Sequence, residues 1–284
     1  MASLAELLTK QFGPDGLRRF DPADLAGTTV PEAAAALLAG TGLPRAVGQY
    51  FQTSDDIPVR VKVEDSNQPW AELGNDQFAS IAVNPDGTVV AVLPDGPVRP
   101  VGASVQQFAN SLMLLDRYLP HLADAAQTDD AGRLFRELRI DLVRFDPSVV
   151  EYEGGWWQLV LDDIRHTISY PFGAAVKYTD AAGTTQIRSA QARLGLPHPE
   201  LQLVAELADL GVPGEAVTEL YTELQACQMP GHYCQLRTRA LLPQAEYRYA
   251  FPYGLDATER QNSLNAAAQA AANAAVSGTL DSGD

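Results

Sequence analysis

The chain has 284 residues, 46% of them hydrophobic and 20% charged, enough to bury two cores of ordinary domain size. Its formal net charge is −16, with 12 acids against 7 bases over residues 166–284 and the remaining −11 on residues 1–165, so no basic face for a long polyanion is visible. No apolar run is long enough to span a bilayer, and the opening MASLAELLTKQFGPDG lacks the basic-then-apolar layout of a secretory signal, so a cytoplasmic protein with no membrane partner is expected.

Residues 1–165 read as one α+β unit. Leu4, Leu7 and Leu8 share a face of a short helix over 1–11, which the run Phe12-Gly13-Pro14-Asp15-Gly16 ends. A short strand or turn follows over 17–22, then an Ala-rich helix over 31–40 closed by Gly40 and Gly42. β-like runs at 78–83 and 88–92 flank Asn84-Pro85-Asp86-Gly87, a strong turn signal. Phe108, Leu112, Leu115 and Leu119 predict a helix over 105–119. Another is expected over 155–168, opening on Trp156-Trp157, which should fill a core, and continuing through Val160, Ile164 and Ile168. The stretches FGPDGLRRFDPADL, GLP at 42–44, SVQQFANSLMLLDRYL and GGWWQLVLDDI resemble the SUKH superfamily and, within it, the SUKH-4 branch. That resemblance spans nearly all of 1–165 and implies a mostly non-catalytic, immunity-type domain that binds a protein partner.

Residues 166–284 follow a different pattern. Two strands, 174–178 and 184–188, flank Asp180-Ala181-Ala182-Gly183 as a hairpin. Leu196-Pro197-His198-Pro199 leads into a helix lined by Leu203, Leu207 and Leu210 and stopped by Gly211. A strand over 216–225, a Pro-Gly loop over 227–233, a helix over 234–242, a strand over 247–253 and a long Ala-rich helix over 258–276 complete the order. Strands alternating with helices predict a layered α/β sheet.

Cys227 and Cys234 are the only cysteines. One disulfide in a chain of this kind is less expected than a metal site, because His198 and Glu200 lie upstream. His-x-Glu followed by two cysteines near a second helix is the signature of zinc deaminases, in which three N or S ligands leave one position for water and the carboxylate moves protons. A bland reading makes His198 a solvated helix start, Glu200 a surface acid and the cysteines structural, and His232 is open as a ligand in place of one Cys. His121 and His166 read as ordinary surface or core residues.

His198-Pro199-Glu200, the hairpin before it, the run 218–227, Met229-Pro230-Gly231 and Tyr233-Cys234 resemble the bacterial nucleic acid/nucleotide deaminases of polymorphic toxin systems, over roughly 170–255. The resemblance implies Zn²⁺ held by His198, Cys227 and Cys234, with Glu200 catalytic. Two departures stand out: Ala226 replaces the usual Pro before the first Cys, and six residues separate the cysteines instead of two. The expected layout is an α+β SUKH-like domain (1–168), a cytidine-deaminase-like α/β domain (169–257), and an Ala-rich helix and tail (258–284). The expected function is zinc-dependent deamination of cytosine or adenine, in a nucleotide or short single-stranded nucleic acid. The rival is a non-catalytic immunity or binding protein with an inert deaminase-like half.

Overall fold

A computed structural model describes residues 2–56, 59–63, 66–94, 98–152, 154–254 and 256–281; Met1, included in the first expected helix, and the last three residues of the expected tail lie outside them. The chain divides into two compact units, Met1–Leu161 with Pro230–His232, and Asp162–Met229 with Tyr233–Asp284. The division falls inside one helix, earlier than the limit at 168 expected from the sequence. Pro171 and Gly173 mark where a helix must stop, whereas compactness follows what the side chains touch.

In the first unit, α1 (Leu4–Phe12) starts on a capping box: Glu6 N–H donates to Ser3 Oγ and Ser3 N–H to Glu6 Oε2. β1 (Leu17–Arg18), α2 (Pro22–Leu25), α3 (Glu32–Gly40) and β2 (Leu43–Pro44) follow, β1 and β2 pairing antiparallel. β3 (Ala46–Val47), β4 (Phe51–Gln52), β5 (Ala71–Asn75), β6 (Ser80–Val83), β7 (Val89–Val92) and β8 (Val98–Gly102) form a six-stranded antiparallel sheet in sequence order. The expected turn joins β6 to β7, with Gly87 at φ 89 and its N–H donating to Asn84 O. α4 (Val105–Asp124) buries Phe108, Leu112, Leu115 and Leu119 as expected, but runs through Pro120 to bury Leu122 as well. α5 (Asp129–Phe145) has no counterpart in the expected elements.

Trp156 and Trp157 open α6 (Trp156–Ser169) and are both fully buried, their rings meeting edge to face at 4.9 Å. The Trp156 indole N–H donates to Asp76 Oδ2 at 2.7 Å.

The second unit is a four-stranded sheet of β9 (Gly173–Thr179), β10 (Thr185–Gln191), β11 (Val217–Leu224) and β12 (Glu246–Phe251), in the order β10-β9-β11-β12. β9 and β10 form the expected hairpin, its turn held by Asp180 Oδ1 accepting from Ala182 N and Thr184 N. β11 runs antiparallel to β9 and parallel to β12. α7 (Pro199–Asp209) lays Leu203 and Leu207 on Ala174, Val176, Tyr178, Val217 and Leu220. Full burial of side chains this size contributes roughly 1.5–3 kcal/mol each. α8 (Cys234–Leu241) connects β11 to β12. Gly214, before β11, is required by close approach, since a Cβ there would lie 1.9 Å from Leu241 O. α9 (Ala257–Asp281) follows β12. Among the described residues, no helix is long and apolar enough to cross a membrane.

Candidate metal centre

His198 occupies the N-cap of α7, and Pro199 takes the first helical position, where its missing N–H leaves no bond unmade. Glu200 therefore sits in the first turn, where the helix dipole favours a carboxylate. Cys227 follows β11, and Cys234 is the first residue of α8. Two backbone bonds draw the ends of the intervening loop together: Tyr233 N–H to Met229 O at 3.0 Å and Gln235 N–H to Cys227 O at 2.9 Å. Tyr233 makes the final bend in the left-handed region (φ 46, ψ 42), costly for a bulky residue and offset here by complete burial of its ring. The long gap between the cysteines is thus folded back on itself.

The result is convergence. His198 Nδ1 lies 3.4 Å from Cys227 Sγ and 3.5 Å from Cys234 Sγ, and one ligand atom from each of the three lies within 4.8 Å of the other two. All three residues are buried. Zinc–sulfur and zinc–nitrogen bonds of about 2.3 and 2.0 Å at tetrahedral angles set N and S about 3.5 Å apart, so donor types and spacing fit this ion. Glu200, also buried, shares a hydrogen bond with Cys234 and so faces the same cluster.

On the other side of the imidazole, His198 Nε2 lies 3.1 Å from Asp163 Oδ1, and the Phe172 ring stands edge-on at 5.1 Å. Asp163 belongs to α6 and is absent from the sequence-derived site. No spacing rule links an acid in one helix to a histidine at the start of another, and only the fold, with the β9–β10 hairpin between them in the chain, brings the two together. His232, the alternative ligand, is buried in the first unit with its ring edge-on to Tyr50 at 5.9 Å, and the His198–Cys227–Cys234 group forms without it.

Burial alone opposes a charge on His198, but the Asp163 carboxylate and Cys227 reverse that and hold its pKa well above the usual value. Burial likewise opposes a thiolate at Cys227. The hydrogen bond with Cys234 and the His198 charge outweigh it and hold this thiol well below its ordinary range. Cys234 is pushed well up by burial and by its bond to Cys227. Burial also raises the Glu200 carboxyl. A cation bound here would displace the proton from whichever of these ligands carries it.

A second ring of polar contacts surrounds this set. Asp162 accepts from Arg260 of α9 at 2.7 Å and from Arg165 at 2.9 Å. His166 Nε2 lies 3.3 Å from Arg165 Nη2, which can only donate, so Nε2 accepts and Nδ1–H donates to the Tyr253 hydroxyl at 3.1 Å. Burial, then the Arg165 charge, lowers the His166 pKa to about 4. A cleft of about 630 Å³ also lies against the sheet, lined among others by Ala175, Ser189, Arg193, Tyr221 and Glu223. None of the four expected site residues lines it, so it is no part of the cluster.

Comparison with known families gives two matches. A family described as SUKH-4 immunity protein matches residues 3–163, and one described as Xanthomonas-like deaminase matches residues 171–270. No curated protein and no solved structure gives a significant match. His198, Glu200, Cys227 and Cys234 all fall inside the second match, whereas Asp163 is the last residue of the first.

Proposed function

Because the chain belongs to the SUKH-4 immunity protein family, whose match covers more than half of it, and carries a deaminase domain behind that match, we propose that it is a zinc-dependent hydrolytic deaminase joined to a protein-recognition domain. The substrate is cytosine or adenine, in a free nucleotide or a short single-stranded nucleic acid, since the net charge of −16 does not suit long polyanions. One observation carries the reading. His198 Nδ1 meets two sulfurs at zinc-ligand spacing while the buried Glu200 carboxyl faces the same cluster.

His198, Cys227 and Cys234 would hold the ion and leave a fourth position for water. Zinc bound there supplies Lewis acidity and depresses the pKa of that water, making it nucleophilic near neutral pH. Glu200 would accept a proton from the attacking water as its oxygen adds to C4 of cytosine or C6 of adenine. With its raised pKa it would pass that proton to the ring nitrogen, then carry the second water proton, from the hydroxyl left on the attacked carbon, to the amino group that departs as ammonia. Burial of the carboxyl excludes bulk water from the transfer.

Recognition falls to the SUKH-4 stretch, residues 1–168 in the proposed division, chemistry to residues 169–257, and the Ala-rich helix with its tail to 258–284. The −11 charge of residues 1–165 suits a basic protein partner, because complementary charge raises association rate and specificity. The test is ammonia release from a panel of nucleosides, nucleotides and oligonucleotides, run with metal analysis of the full chain. The expected result is about one zinc per chain, lost in Cys227→Ser, and turnover of at least one substrate. A folded protein that binds no metal and releases no ammonia overturns the proposal.

A further inference from the structure

Asp163 differs from the other acid of α6. Asp162, one residue earlier, is paired with the guanidinium groups of Arg260 and Arg165. Asp163 is 1% exposed, and its Oδ1 lies 3.1 Å from the imidazole of His198. Burying a carboxylate is costly unless it is paired, and one partner of this one is the His198 imidazole. The direction of that ring follows. With Nε2 turned to a carboxylate, the Nε2 proton has an acceptor. Nδ1 is then the nitrogen whose lone pair points at Cys227 and Cys234, 3.4 and 3.5 Å away. A carboxylate behind a metal-ligating histidine fixes its tautomer and orientation and raises its basicity as a ligand.

Asp163 is itself anchored from both sides along the chain. Thr167 Oγ1 donates to the Asp163 carbonyl within α6, and the neighbouring Asp162 is tied to α9 through Arg260. One turn further on, His166 is bonded to Tyr253 just after β12. Residues 162–169 of α6 are therefore held by the same unit that carries the cysteines, although the SUKH-4 match extends through residue 163 and the deaminase match begins only at 171.

We propose that Asp163 is a positioning residue of the metal centre: it holds His198 with Nε2–H toward its own carboxylate and Nδ1 toward the ion, so the end of the helix read as part of the SUKH-4 stretch completes the deaminase site. The inference rests on the reading that His198, Cys227 and Cys234 hold a metal.

The test uses the full-length protein. Zinc affinity is measured by chelator competition, and the cobalt(II)-substituted protein is followed by its visible spectrum, for wild type, Asp163→Asn and Asp163→Ala, with circular dichroism to establish folding. Loss of an outer-shell partner of this kind weakens metal binding by about 10–100-fold, so Asp163→Ala is expected near the upper end and Asp163→Asn, which retains an acceptor without charge, near the lower. Both should shift the cobalt ligand-field bands. Independently of any variant, ¹⁵N shifts of the wild-type zinc protein should show His198 protonated at Nε2 and metal-bound at Nδ1. Wild-type affinity and an unchanged cobalt spectrum in folded Asp163→Asn, or a His198 bound through Nε2, overturns the role of Asp163. A wild-type chain that takes up neither zinc nor cobalt instead overturns the metal reading beneath it.

Discussion

Asp76 and Asp146 of the first unit are as completely buried as Asp163 of the second, yet they serve different ends. Asp76 Oδ1 accepts from the backbone of Ala79, and Oδ2 from the Trp156 indole. Asp146 accepts from Ser148 N, Ser148 Oγ and Ala103 N. Each is absorbed by the chain segments it holds in place. In the second unit the buried polar residues point at one another: Asp163 at His198, His198 at both sulfurs, Cys234 at Glu200. Buried charge that closes on backbone makes architecture. Buried charge that closes on titratable side chains, with nucleophilic sulfur among them, makes a site.

That contrast breaks if the second group proves as passive as the first. The largest expected effect is on turnover. Glu200→Ala should lose about 10²–10⁴-fold or more in deamination, since the role proposed for it moves a proton twice. Zinc content and melting temperature should stay at wild-type levels. Retained turnover in that variant would make Glu200 architecture after all.

The next effect is a pH dependence of stability. His166 has a folded pKa of about 4 against 6.5 for the free side chain. Between these values the unfolded chain binds the extra proton, so stability is present above about 6.5 and lost as pH falls towards 4. On the order of 3 kcal/mol is at stake. Denaturant titrations at stepped pH should show this slope in wild type and a flatter one in His166→Gln. Parallel slopes would place the acid sensitivity elsewhere.

Smaller effects belong to the first unit and should leave metal content untouched. Trp156→Phe removes the bond to the Asp76 carboxylate and leaves a gap where part of the buried indole lay, costing about 2 kcal/mol in calorimetry or denaturant unfolding. Ser3→Ala removes the α1 cap, where Glu6 N–H bonds Ser3 Oγ at 3.3 Å, and should cost about 1 kcal/mol. A drop in zinc occupancy in either variant would blur the line drawn between the two kinds of buried charge.

Much of the second unit could be read in advance because its signals are local. Asp180 to Gly183 specify a turn, Pro199 a helix start, and the leucines on α7 a buried face. Even the site motif is a matter of order along the chain. Elsewhere the rules fail for identifiable reasons. α5 was unassigned because a helix rich in exposed charge, braced by pairs such as Arg133 with Glu137, shows only a narrow apolar stripe of Ala131, Leu138 and Leu142. α4 outran its expected end because burial of Leu122 outweighs the break that Pro120 signals. β3 and β4 are two residues long, too short for any period. Asp163 was invisible because its significance is the direction of one carboxylate, set by how α6 lies against the start of α7.

The end of α6 also sets a rule for assembling such a chain by recombination. The stretch recognisable as a deaminase, 171–270, is the obvious piece for one gene to lend another. Moved alone, it would arrive without Asp163 behind its histidine, without Asp162 for Arg260, and without His166 for Tyr253. A recipient gene ending in an unrelated helix would inherit the proposed ligands but not the carboxylate proposed to aim His198. On the proposed role of Asp163, the piece that can change hands with its site intact starts by residue 162, longer than the similarity that reveals it.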